Sequence, residues 1–203
     1  LQGAAGETFV YGGLAHFHFG HFAAEHVHRL WLLQKPEYAD ATVLFLSCKG
    51  TDEAPPFFAD MMRHFGVQRW KILKEPVRVP SLTIAEAGQY LGSKPKPDYL
   101  PYLDALLTNG ALRDPSAPRK VALLRGHRSK GRLVGEAGFS QYLETCGYIS
   151  YRPEQHSLEH QLKTIANAEK IIITEGSACH LFDLLSKFEC EVVYIGRRPR
   201  GKL

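Results

Sequence analysis

The residues best equipped for chemistry lie between Gly12 and Trp31, GGLAHFHFGHFAAEHVHRLW, where five of the ten histidines fall within thirteen residues beside Glu25 and Arg29. Imidazole titrates nearest neutrality of all side chains, so a dense group of it beside a carboxylate suits proton transfer, metal ligation or recognition of a polar substrate. On a helix, His21, Glu25 and His28 are spaced i, i+4, i+7 and share one face, while Phe22, His26 and Arg29 share another. A carboxylate one turn away holds a histidine in one tautomer, which makes His21 with Glu25 the candidate general base. His16 and His18 alternate and would project together from a strand, adding metal ligands to His21. The chain nevertheless has no H-E-x-x-H and no Asp-x-Asp pair for a divalent ion. His16, His18, His26 and His28 also suit partly buried polar groups satisfied by the backbone.

A second constellation sits at two strand-to-helix turns in the second half. Arg125 ends the apolar run VALLR, and Glu175-Gly176-Ser177-Ala178 follows the run IIIT. In an open parallel sheet the ligand crevice lies outside the carboxyl ends of the strands, where helix N-termini present unpaired N–H groups to anions. Gly176 would let a ligand approach the backbone, Ser177 offers a hydroxyl, and the N–H groups of Ser177 and Ala178 would face the crevice. A nucleotide diphosphate fits such a place, with Arg125 and Arg132 as cationic partners. The same residues also read as a plain helix cap beside solvated arginines. There is no G-x-G-x-x-G, no G-x-x-x-x-G-K-[ST] and no G-x-S-x-G elbow, so the standard dinucleotide, P-loop and serine-hydrolase signatures are absent.

The elements that must position these groups alternate. In the second half Val121–Arg125, Tyr148–Tyr151, Ile171–Thr174 and EVVYIG predict four strands. Helices are predicted from Leu133 to Thr145, through SLEHQLKTIANA with Ser157 as N-cap, and from Ala178 to Lys187. Continuous apolar strands between helices imply βαβ units around a buried parallel sheet. The first half offers strands in TFVYG, ATVLFLSC and RWKIL, with helices over Gly20–Gln34 and in PPFFADMMRHFG. Three prolines within seven residues of SKPKPDYLPYLDALL, followed by a short helix-like segment, mark a linker between about Ser93 and Pro118.

With 44% hydrophobic and 23% charged residues in 203, the chain can build a sizeable core, and no apolar run reaches the ~20 residues that span a bilayer. A net charge of +4 favours anionic ligands, but the Lys/Arg residues form no basic stripe, so no nucleic-acid partner is expected. Cys48, Cys146, Cys179 and Cys190 are widely spaced and read as free, mostly buried thiols in a reducing, cytoplasmic compartment.

Three stretches together resemble the family-61 glycosyltransferases: GHFAAEHVHRLW, VPSLTIAEAGQYLGSKPKPDYLPYLDALL, and LLRGHRSKGRLVGEAGFSQYLETCGYISYRPEQHSLEHQLKTIANAEKIIITEGSACH. The likeness runs from about Gly12 to Ile195. Its most specific part is the ordered series Arg125, Arg132, Glu136, Pro153-Glu154, Glu159, Gln161 and Gly176. The resemblance implies an α/β chain of two Rossmann-like domains facing a cleft (GT-B), trimmed in places because 203 residues are few for two full domains. Residues 1–100 would form the acceptor-side domain and 101–203 the nucleotide-sugar domain. It implies inverting, metal-independent transfer from a nucleotide-sugar donor to a saccharide acceptor in bacterial capsular or other surface polysaccharide synthesis. No cofactor beyond the donor is implied, and peripheral membrane association is compatible with it. His21 or Glu25 would be the base; Arg125, Arg132, Glu136, Glu159, Gly176, Ser177 and Ala178 would bind the donor. Two departures stand out: Gly135-Glu136 replaces the family's Asn-Glu, and Glu175-Gly176-Ser177 replaces its His-Gly-Ala. A carboxylate at 175 would repel a diphosphate unless turned away. The rival readings are a histidine-rich metallohydrolase using His16, His18 and His21, and a non-catalytic nucleotide- or saccharide-binding relative.

Overall fold

A computed structural model describes residues 7–108, 114–125 and 133–197. Contacts divide the chain into two compact units, Leu1–Tyr102 and Leu103–Leu203.

In the first unit, β1 (Phe9–Ala15), β2 (Thr42–Ser47) and β3 (Arg69–Leu73) form a parallel sheet in the order β1-β2-β3. Central β2 carries the apolar run Val43–Leu46, and its residues Thr42 to Phe45 are all buried, as a strand covered on both faces requires. Edge strand β3 exposes Arg69 and Lys71, charges that discourage further pairing. The outer edge of β1 is met by Thr83, whose N–H donates to the Phe9 carbonyl at 2.9 Å. Register slips between Tyr11 and Gly13, making a bulge in which Gly13 takes φ 100°, a left-handed value suited to glycine.

The helix expected over Gly20–Gln34 forms, but not as one α-helix. A single α turn, α1 (Phe19–His21), passes into a π turn (Phe22–His26) and then a 3-10 helix (Val27–Gln34). Phe22, Ala23, Ala24, Val27 and Leu30 of this segment are all buried. Phe22 is the anchor. Its ring lies 4.9 Å from Phe58, the first residue of α2 (Phe58–His64), and 5.9 Å from Phe45 on β2.

In the second unit the order of elements is β4 (Lys120–Leu123), α4 (Glu136–Thr145), β5 (Ile149–Ser150), α5 (Leu158–Asn167), β6 (Lys170–Thr174) and β7 (Glu191–Ile195). A further helix, α3 (Leu100–Thr108), forms where a short helical segment was expected at the end of the proline-rich linker. All four strands are parallel, in the order β5-β4-β6-β7. Ser157 caps α5 as predicted, its side chain accepting the His160 N–H. The helix expected over Ala178–Lys187 is instead a 3-10 helix, Ser177–Leu184. Its fully buried residues, Leu181 and Leu184, are three apart, the spacing that puts both on one 3-10 stripe. Each unit is thus a mixed α/β assembly around a parallel sheet, of the Rossmann-like class.

The cysteines differ from expectation in burial. All four are free, yet Cys48 is exposed and Cys146, Cys179 and Cys190 are only half-buried. Cys48 lies just past the end of β2, where the strand has left the core. Among the described residues no helix is long and apolar enough to cross a membrane.

Candidate functional site

The histidine segment begins where β1 ends. His16 and His18 follow the last residue of that strand, so they do not alternate along it as predicted; instead His16 Nδ1 accepts the His18 N–H at 3.2 Å. His21 Nδ1 lies 2.5 Å from Glu25 Oε1, with the His21 side chain half exposed. If Nδ1–H donates to Glu25, the lone pair of Nε2 is left to take a proton, the geometry of a general base. The rings of His16 and His18 lie 4.8 and 5.0 Å from that of His21 and tilted to it. Among the described residues no three His, Cys, Asp or Glu side chains converge as a metal site.

His28 does not share the face of His21. The π turn and the 3-10 helix rotate it inward, where it is fully buried and its Nδ1 meets the Tyr99 hydroxyl at 3.0 Å. His26 packs on the bulge: a Cβ on Gly13 would sit 2.8 Å from its Nδ1. Burial pushes the His26 imidazole down to about 4; Glu25 opposes this, and Arg29, His16 and His21 add to it. His26 is therefore neutral at neutral pH and cannot serve as a cation there.

In the second unit the chain leaves β4 toward β5 on one side, whereas β6 leads to β7 on the other. The crevice between the carboxyl ends of β4 and β6 is thus a topological switch point, the place where open α/β sheets bind ligands. Arg125 stands just past β4, and its guanidinium lies so close to Gly176, just past β6, that a Cβ at 176 would displace the end of the arginine. Gly176 is extended, so it is space and not backbone conformation that calls for glycine. Ser177 and Ala178 are the first two residues of the 3-10 helix that follows Gly176. Arg132 lies outside the described residues.

The remaining donor-side candidates are placed differently. Glu136 is buried, and its carboxylate accepts the backbone N–H groups of Arg125 and of Leu133, tying the two ends of the intervening loop together. Glu159 is exposed on the first turn of α5 and paired with Lys163 at 2.7 Å. Glu175 is turned away from the crevice: it is buried, and its Oε2 accepts the Arg197 N–H at 2.8 Å.

Two arrangements escape the sequence reading. His180 and Asp183 form a pair on the 3-10 helix, Nδ1 to Oδ2 2.8 Å, one turn beyond Ser177 on the same ridge. A histidine three residues before an aspartate was the available signal. Tyr151, His156 and His160 stack with nearly parallel rings; the signal was His-x-x-x-His astride the Ser157 cap.

No curated protein matches the chain significantly. The sequence model described as Glycosyltransferase 61 matches residues 19–193, which takes in the His21–Glu25 pair and both strand-end turns of the second unit. The chain belongs to glycosyltransferase family 61, transferases that move a glycosyl group from a donor to an acceptor.

Proposed function

We propose that the protein is an inverting glycosyltransferase of the GT-B type, moving a sugar from a nucleotide-diphosphate donor to a saccharide acceptor. The observation that carries this reading is the crevice between β4 and β6, where Arg125 lies on Gly176 at the start of a helix. A diphosphate there meets a guanidinium with parallel donors and the amides of Gly176, Ser177 and Ala178. Glu175 directs its Oε2 to the Arg197 amide.

The reaction is a single displacement. His21, oriented by Glu25, takes the proton of the acceptor hydroxyl; that oxygen attacks the anomeric carbon from the face opposite the donor phosphate, and the bond to the diphosphate breaks with inversion. Negative charge builds on the departing diphosphate, where Arg125 and the turn amides stabilise it without a metal ion. We read the activity as serving bacterial surface or capsular polysaccharide synthesis, and four unbridged cysteines suit a reducing, cytoplasmic setting. Calorimetry with UDP, GDP and CMP tests the donor site: binding of one of them is expected, and no binding of any would overturn it.

A further inference from the structure

Three aromatic rings at the carboxyl end of β5 form a layered stack that the transfer mechanism does not use. Tyr151 directly follows β5, its N–H donates to the Ala122 carbonyl of β4 at 2.9 Å, and its ring is buried. Its hydroxyl lies 2.8 Å from His160 Nδ1, and the two ring planes are 9° apart, so Tyr151 and His160 form one nearly flat surface. His156 covers that surface, with ring centroids 4.7 Å from Tyr151 and 4.4 Å from His160 and planes within 12° of both. The backbone around His156 is fixed: its N–H donates to the Pro153 carbonyl at 3.0 Å, and its carbonyl accepts Gln161 Nε2 at 2.9 Å. His156 is nonetheless exposed. A held, flat aromatic ring of an exposed residue, with one face against the stack, is shaped to receive another flat ring.

The strand order says which ring. Tyr151 ends β5, Arg125 follows β4 and Gly176 follows β6, three neighbouring parallel strands. Neighbouring strands lie about 4.8 Å apart, so the stack and the Gly176 turn are separated by about 10 Å along the carboxyl edge of the sheet. A nucleoside diphosphate bridges such a distance from its base to its phosphates. We propose that the outer face of His156, backed by Tyr151 and His160, is the stacking platform for the nucleobase of the donor. This rests on the reading of the β4–β6 crevice as the diphosphate site and adds to it the part of the donor that the turn does not hold. His160 belongs to the support: bonded to the Tyr151 hydroxyl, it keeps the surface beneath His156 flat.

The test is calorimetry on the full chain with UDP, GDP and inorganic pyrophosphate, for the wild type, His156→Ala and His156→Phe. Removing a stacking ring is expected to weaken the better-bound nucleotide about tenfold. Pyrophosphate, which has no base, should bind His156→Ala as it binds the wild type, and His156→Phe should restore nucleotide affinity because it restores a ring. A merely structural role for His156 would not produce that base-dependent loss with aromatic rescue. If His156→Ala binds nucleotides as the wild type does, or loses pyrophosphate and nucleotide alike, the platform is overturned while the phosphate site stands. If the wild type binds no diphosphate at all, the crevice reading fails and the platform with it.

Discussion

The histidine segment after β1 and the turn after β6 both put reactive groups at the carboxyl end of a parallel strand, but they do so by opposite means. After β6 the chain takes the standard route, with a glycine pressed beneath an arginine from the neighbouring strand and a helix beginning at the next residue. After β1 the route is irregular: a bulge at Gly13, a single α turn, a π turn and a 3-10 helix follow one another. The irregularity separates His21, kept half exposed with Glu25, from His26 and His28, which the same segment turns inward. Position along a helix therefore says little here about which histidine meets solvent. A π turn inserted in a helix is a frequent mark of a functional site.

The sharpest way to break the comparison is to remove the chemistry from the irregular side alone. His21→Ala and Glu25→Gln should each lower donor turnover by about 10²–10⁴-fold, the usual worth of a positioned base, with nucleotide affinity in calorimetry unchanged. Detectable donor hydrolysis that disappears in His21→Ala would also exclude a non-catalytic relative. Equal turnover in wild type and both variants would remove the pair from the mechanism.

Next in size is the scaffold of that segment. Phe22 is fully buried among Phe45, Phe57 and Phe58, and Phe22→Ala should cost about 3–5 kcal/mol. Both tryptophans, Trp31 and Trp70, lie in the first unit, so urea unfolding followed by their fluorescence reads this loss directly. A change below 1 kcal/mol would mean that the π turn is not held by this ring.

On the regular side, Gly176→Ala places a methyl where the Arg125 guanidinium lies. Because the far end of an arginine can swing aside, the fold should survive and the melting temperature should move little. Nucleoside diphosphate affinity should fall about tenfold, as for the loss of one charge-assisted contact. Unchanged affinity would show that Arg125 does not hold the phosphates.

A further effect is on acid stability. The folded-state pKa of His26 is pushed from 6.5 to about 4, so on acidification the unfolded chain takes up the proton first. The folded state should lose stability as pH falls from about 6.5, and the loss should level off below about 4. His26→Gln removes this titration and should flatten the pH dependence of the tryptophan-monitored transition over that window. An identical pH profile in wild type and variant would contradict the burial of His26.

Much of this was legible in the residues. The apolar runs of Val121–Leu123, Ile171–Thr174 and Thr42–Ser47 gave strands because a parallel sheet covered on both faces demands them, and Ser157 marked its helix through cap chemistry. The Arg125–Gly176 pairing was foreseeable from strand ends alone, since parallel order brings those ends together. The changes of winding at Phe22–His26 and Ser177–Leu184 were not, because apolar spacing is read against a pitch of 3.6 and tertiary packing set another. For the same reason His28 was placed beside His21, and the His180–Asp183 ridge went unread. At Glu136 and Glu175 the sequence shows a carboxylate but not the backbone amides that donate to it, so the loop-tying role of Glu136 and the orientation of Glu175 could not be read from it.

The most direct measurement is a crystal structure of the protein soaked with the nucleoside diphosphate it binds. The phosphate oxygens are predicted within hydrogen-bonding distance, about 3 Å, of the Arg125 guanidinium and of the backbone N–H groups at Gly176–Ala178. A diphosphate bound elsewhere, with the Arg125–Gly176 contact unchanged and no phosphate oxygen near it, would contradict the account.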